Sequence, residues 1–124
     1  MSETTEQTIA PSKEETDVGG LSPELASVVA YLAAPLTGLI VYVMEEEDQF
    51  TRFHAMQSIL YGVVSIVIYF AISIITSLTL GLGALLYLPA VPILGFLWIF
   101  LMYKAYSGEA WAIPGLEEFI KDQI

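Results

Sequence analysis

Residues 53–103 contain no Asp, Glu, Lys or Arg. That is roughly 50 residues, or about 75 Å as a helix. One crossing of a ~30 Å hydrocarbon core needs about 20 apolar residues, so this stretch predicts two crossings. The natural break is Leu80-Gly81-Leu82-Gly83, where two glycines favour a turn. Spans are therefore expected at about 56–79 and about 84–103. Pro89 and Pro92 should kink the later one, which packing against neighbours makes tolerable. An alternative reading makes the segment from Leu80 to Pro92 partly irregular and shortens that span.

Residues 25–44 are also free of charge and long enough for a third span. Ser22-Pro23-Glu24 reads as its start, with Ser22 as N-cap, Pro23 at the first helical position and Glu24 in the first turn. After Lys104 the pattern turns amphipathic. Tyr103, Tyr106 and Trp111 suit a membrane–water interface. Beyond Pro114-Gly115, the residues Leu116, Phe119, Ile120 and Ile124 share one helical face, which predicts a short interfacial helix at about 114–123. The expected fold is an all-α membrane protein with three transmembrane helices and this C-terminal amphipathic helix. Residues 22–124 form the membrane domain, and residues 1–21 a disordered, acidic tail with no basic start or apolar core of a signal peptide.

The charge pattern narrows the partners. The chain of 124 residues is 56% hydrophobic, against about 45–50% in soluble domains. Its net charge is −10, with the acids in the tail, in residues 45–48 and near the C-terminus. Nucleic acid is an unsuitable partner, because phosphate binding needs clustered Lys and Arg. The acidic excess fits either a solvated tail or a high-salt cytoplasm. With no cysteine and a single histidine, disulfides, thiolate chemistry and His-rich metal sites are excluded. In a three-span arrangement Arg52, Lys104 and Lys121 share one side and only Lys13 takes the other. The positive-inside rule then puts the C-terminus in the cytoplasm of a multi-pass cell-membrane protein, and the N-terminus outside.

Two patterns stand out within the apolar stretches. Ala26, Ala30, Ala34 and Gly38 recur every fourth residue, a small-residue strip suited to close helix packing or, in a functional reading, to a hinge at Pro35. In the second span, His54, Gln57, Ser58, Tyr61, Ser65, Tyr69 and Thr76 fall within about a third of the helix circumference. Such a polar stripe should face protein, either as internal glue or as a groove for a client segment or a proton. Arg52 at its mouth is placed to anchor the helix and to pair with the acids of residues 45–48, with Phe50 and Phe53 dipping into the interface. His54 is more readily a structural hydrogen-bonding group than a catalyst, with pH sensing as the alternative. Gly81-Leu82-Gly83 lacks the rest of a nucleotide-binding loop, and there is no nucleophile elbow or buried carboxylate pair. No enzyme activity and no cofactor or metal are expected.

Arg52-Phe53-His54-Ala55-Met56-Gln57-Ser58 carries a resemblance. With Tyr31-Leu32, Pro35-Leu36-Thr37-Gly38, the run from Ala105 to Glu109 and Ile113-Pro114-Gly115, it resembles a family of small uncharacterised bacterial and archaeal membrane proteins. That family is similar to the twenty-kilodalton membrane subunit of the chloroplast inner-envelope protein translocon. The small body, its packing faces and the missing catalytic set point to a non-enzymatic subunit or accessory of a membrane assembly, whose partners are the bilayer and other membrane proteins or further copies of itself. The alternative is a small oligomeric channel or proton-linked transporter using His54 and the polar stripe.

Overall fold

The computed structural model describes residues 9–124, and among these it is all helical, with no strand. Helix α1, Pro23–Leu32, begins as expected: the Ser22 hydroxyl accepts from the Leu25 N–H at 3.3 Å, and Pro23 occupies a position whose N–H would go unused. The helix stops at Ala33, which leaves helical dihedrals at φ −132° and ψ 61°. Pro35 follows, with no N–H to continue the ladder. Thr37 satisfies the broken ends, because its hydroxyl donates to the Ala30 carbonyl at 2.9 Å and accepts from the Ala33 N–H at 3.0 Å.

The chain resumes as α2, Leu36–Met44. Helix α3, Gln49–Leu78, is 30 residues long and is capped by Asp48, which accepts from the Thr51 N–H and hydroxyl. It ends with Leu80 and Gly81 at positive φ, where the Gly81 N–H reaches back to the Thr76 carbonyl at 2.8 Å. A 3-10 turn, Leu82–Leu86, leads into α4, Tyr87–Tyr106, with Pro92 inside it. The alternative of an irregular start to this span thus matches the tight turn up to Leu86. The short α5, Glu117–Gln123, starts three residues later than the expected helix at about 114–123, after a turn at Pro114-Gly115.

Among the described residues two helical segments, not three, are long and apolar enough to cross a membrane: Gln49–Leu78 and Leu82–Tyr106. The expected first span over residues 25–44 is corrected to a hairpin. Ala26 and Ala30 share a buried cluster with Ala55, and Ser58 donates its hydroxyl to the Ala30 carbonyl, so α1 advances alongside α3. Gly38 then lies against Ser58, and Tyr42 against Arg52, so α2 returns the other way. The apex is Pro35, seated on Gly62, where a Cβ would meet the proline Cδ at 2.6 Å. On its other flank α1 packs against α4, with Tyr31, Leu101 and Ala105 in one buried cluster.

This fold-back moves the N-terminal segment. Of the tail expected over residues 1–21, residues 1–8 lie outside the described residues. Within the remainder, Ile9, Thr16 and Val18 are buried. Ile9 packs in a cluster with Phe50, Phe53, Ala110 and Ile120, and the Asp17 N–H donates to Glu45 at 2.8 Å. Residues 9–21 and α5 therefore sit at the same end of the molecule, whereas a first span over residues 25–44 would separate them. The hairpin is the reason, since α1 and α2 together return the chain to the end from which it entered.

Candidate functional site

The first three turns of α3 hold the motif, and each of its side chains meets a different part of the chain. Arg52 uses backbone rather than carboxylate oxygens. Its Nη1 donates to the carbonyls of Tyr42 at 3.1 Å and Glu45 at 2.8 Å, and its guanidinium lies 4.0 Å from the centre of the Tyr42 ring. A cation at the C-terminus of α2 also complements that helix's dipole. Lys104 pairs with Glu109 at 2.7 Å. Phe53 is fully buried in the cluster with Ile9 and Ile120, and Met56 packs on its edge.

His54 is completely buried, and both ring nitrogens are bonded. Nε2 lies 2.8 Å from the Glu109 carbonyl, which only accepts, so Nε2 carries the proton. Nδ1 lies 2.7 Å from the Tyr31 hydroxyl and is therefore the acceptor. The tautomer is assigned from this pattern. The Tyr31 oxygen in turn accepts from Gln57 Nε2 at 3.1 Å. Gln57 is also fully buried; it donates to the Trp111 carbonyl at 2.8 Å and accepts from the Ile113 N–H at 2.6 Å. Tyr31, His54 and Gln57 thus form one network that fastens the segment between α4 and α5 onto α3, with α1 on the other side. Phe50, Phe53 and Tyr31 surround the imidazole edge-on, with ring centroids 4.8–5.5 Å away.

The rest of the expected stripe reaches neighbouring helices or its own backbone. Tyr61 donates to the Leu94 carbonyl of α4, and Tyr69 stacks on Tyr87 with centroids 6.0 Å apart. Thr76 returns its hydroxyl to the Ile72 carbonyl at 2.7 Å. The Ser65 hydroxyl is buried beside Tyr61, one turn along the same helix. The small-residue strip is not one helix face, because Pro35 divides it. Ala26 and Ala30 are buried on α1, Ala34 is half-buried in the break, and Gly38 is buried on α2. Both buried parts nevertheless face the same stretch of α3.

Three contributors have roles that the sequence reading did not assign. Glu45 is 3% exposed, and its carboxylate accepts from the backbone N–H groups of Asp17, Glu47 and Asp48 at 2.8–3.0 Å. Burial pushes its pKa up, but those three donors and the Arg52 charge outweigh burial and hold it below the ordinary carboxylate value. Gly62 gives Pro35 its seat. Trp98 donates its indole N–H to the Tyr31 carbonyl, filling a gap left by the end of α1. A turn-forming acid after an apolar run was a signal for Glu45. Nothing in the spacing pointed to Gly62 or Trp98.

Chemically, the polar groups of Arg52, His54, Gln57 and Ser58 are bonded within the chain. Among the described residues, no three His, Cys, Asp or Glu side chains gather as metal ligands. His54 offers no free nitrogen to a substrate in this arrangement.

Comparison with known proteins agrees with a membrane setting. The family model of the magnetosome magnetite crystal formation proteins matches residues 21–120. A UPF0132 membrane protein of Archaeoglobus fulgidus is 33% identical over 105 residues, covering 84% of this chain and 97% of the relative. Two UPF0132 membrane proteins of Methanocaldococcus jannaschii are 38% and 36% identical, each over 77% of this chain, covering 82% and 65% of their own lengths. No solved structure matches. These comparisons do not show the expected likeness to the chloroplast translocon subunit.

Proposed function

The chain belongs to the magnetosome magnetite crystal formation protein family and is a membrane protein; from that premise we propose that it is a non-enzymatic subunit or accessory of a membrane protein assembly. The observation that carries this is the consumption of the motif. His54, Gln57, Ser58 and Arg52 are all bonded to the chain's own atoms. What remains for others is the apolar outer surface of α3 and α4 and the acidic end. The work of the motif is then to hold a shape that partners recognise.

In the bilayer, α3 and α4 cross, while the α1–α2 hairpin enters and leaves by the same face. Residues 9–21, the α2–α3 connection and α5 share that face. Lys13, Arg52, Lys104 and Lys121 all belong to it, so the positive-inside rule assigns it to the cytoplasm. Lys13 no longer opposes the other three.

Photocrosslinking in native membranes tests the functional reading. A photoreactive side chain would replace Phe70 on α3, Ile93 on α4 or Glu47 at the acidic end, all exposed. The expected result is recurrent capture of the same partner protein from at least one of these surfaces. Crosslinks to lipid alone at every position would end the proposal.

A further inference from the structure

Two halves of the molecule differ in width, and the difference runs along the axis of α3. At the charged end, four helices stand side by side: α1 and α2 against the start of α3, and α1 against the end of α4. The hairpin stops at Pro35, opposite Gly62. Gly62 is 13 residues into α3, about 20 Å from its start, and α3 then continues for a further 24 Å or so. Among the described residues, only α3, α4 and their connecting turn remain beyond Gly62. Burial records the same step. Eight of the nine buried residues of α3 lie between Phe50 and Gly62, and both buried residues of α4, Leu101 and Ala105, lie near its charged end.

We infer that the chain acts as a wedge in the bilayer, favouring membranes in which the leaflet on its charged side is convex. This rests on the topology proposed above. A helix with its side chains is about 10 Å across, so two extra helices add roughly 160 Å² to one leaflet only. A convex leaflet spreads its headgroups, and the wider end of the protein fills that area. The occupant of the space beside the narrow half is lipid. Val63, Val67, Phe70, Ile74, Leu88 and Ile93 are all exposed, and on α3 the exposed positions run around the helix rather than along one stripe. A second copy would cover only one stripe, such as the apolar groove between Ile72 and Pro89.

The absence of cysteine makes the test direct. The full chain with Lys13→Cys carries a single fluorophore at the charged end. It is reconstituted into a mixture of small sonicated and large extruded phosphatidylcholine–phosphatidylglycerol vesicles. A membrane-impermeant quencher separates molecules whose charged end faces outward from those facing inward. The expected result is an outward-facing density that rises severalfold as vesicles shrink, with the inward-facing density falling. Gly62→Leu, which unseats Pro35, should flatten both trends. Densities independent of vesicle size for both orientations overturn the wedge. So does a crosslinked dimer through the α3–α4 groove that shows no size dependence. The same labelling at Lys121→Cys checks the premise separately: labels at positions 13 and 121 on opposite sides of the membrane would refute the topology, whereas labels on one side with flat densities refute the wedge alone.

Discussion

Tyr31 joins α1 to two residues of α3 through one oxygen, donating to His54 and accepting from Gln57. Its ring packs with Leu101 and Ala105, so Tyr31→Phe keeps the packing and deletes only the polar link. His54 Nδ1 would then be buried without a donor. The expected cost is about 1–3 kcal/mol, read as a lower unfolding midpoint in mild detergent titrated with dodecyl sulfate. A change near zero would mean that the network is fed by water instead. Glu45 makes a different prediction. Its folded-state pKa lies below the unfolded one, so its contribution is complete above the ordinary Glu value near about 4.3 and is lost as pH falls through the lower folded value. Acidification below that ordinary value should therefore destabilise the native chain, releasing residues 9–21 to protease early. Glu45→Gln should show weaker tail protection at neutral pH and a flatter acid profile. An identical acid profile in the variant would assign the effect to other carboxylates.

The elements are matched to one another by small residues at particular depths. A Cβ at Gly38 would meet Ser58 Oγ at 2.6 Å and the Ala55 carbonyl at 2.9 Å, both on the opposing helix. Neither is the loose end of a long side chain, so α2 would have to lift from α3. Gly38→Ala should cost about 1–3 kcal/mol. Gly95 in α4 is the control, because a Cβ there meets nothing within 4 Å. Gly95→Ala should be neutral or stabilising by up to about 1 kcal/mol, from helix propensity alone. Equal effects at the two glycines, measured by the same detergent titration, would mean that the hairpin does not rest on α3 as described.

At the scale of the whole molecule, the charged residues define one end and the turn between α3 and α4 the other. Leu80 is 97% exposed at that far tip. Single cysteines at Lys13, Glu47 and Lys121 should react with an impermeant maleimide from the same side of the membrane, and one at Thr79 from the other side. Thr79 labelled from the same side as the rest would show that α3 and α4 form an embedded hairpin rather than two crossings.

Charge-free length settles much of this architecture before any fold is known. The uncharged run of residues 53–103 is long enough for two spans, and Gly81 turns between the two long helices because few other residues adopt φ 97°. The Ser22-Pro23 start is equally local, since an N-cap and its partner lie three residues apart. Residues 25–44 pass the same length test and do not cross, because length counts apolar residues and not neighbours. The hairpin exists because Gly62 leaves space for Pro35 and Ser58 offers a donor to Ala30. The motif divides in the same way. Its polar groups announce that partners are needed, but the partners of His54 and Gln57 are 23–56 residues away in sequence. Only tertiary packing brings Tyr31, Glu109 and Ile113 to them, because hydrogen-bonding capacity is a property of a residue and its satisfaction a property of the fold.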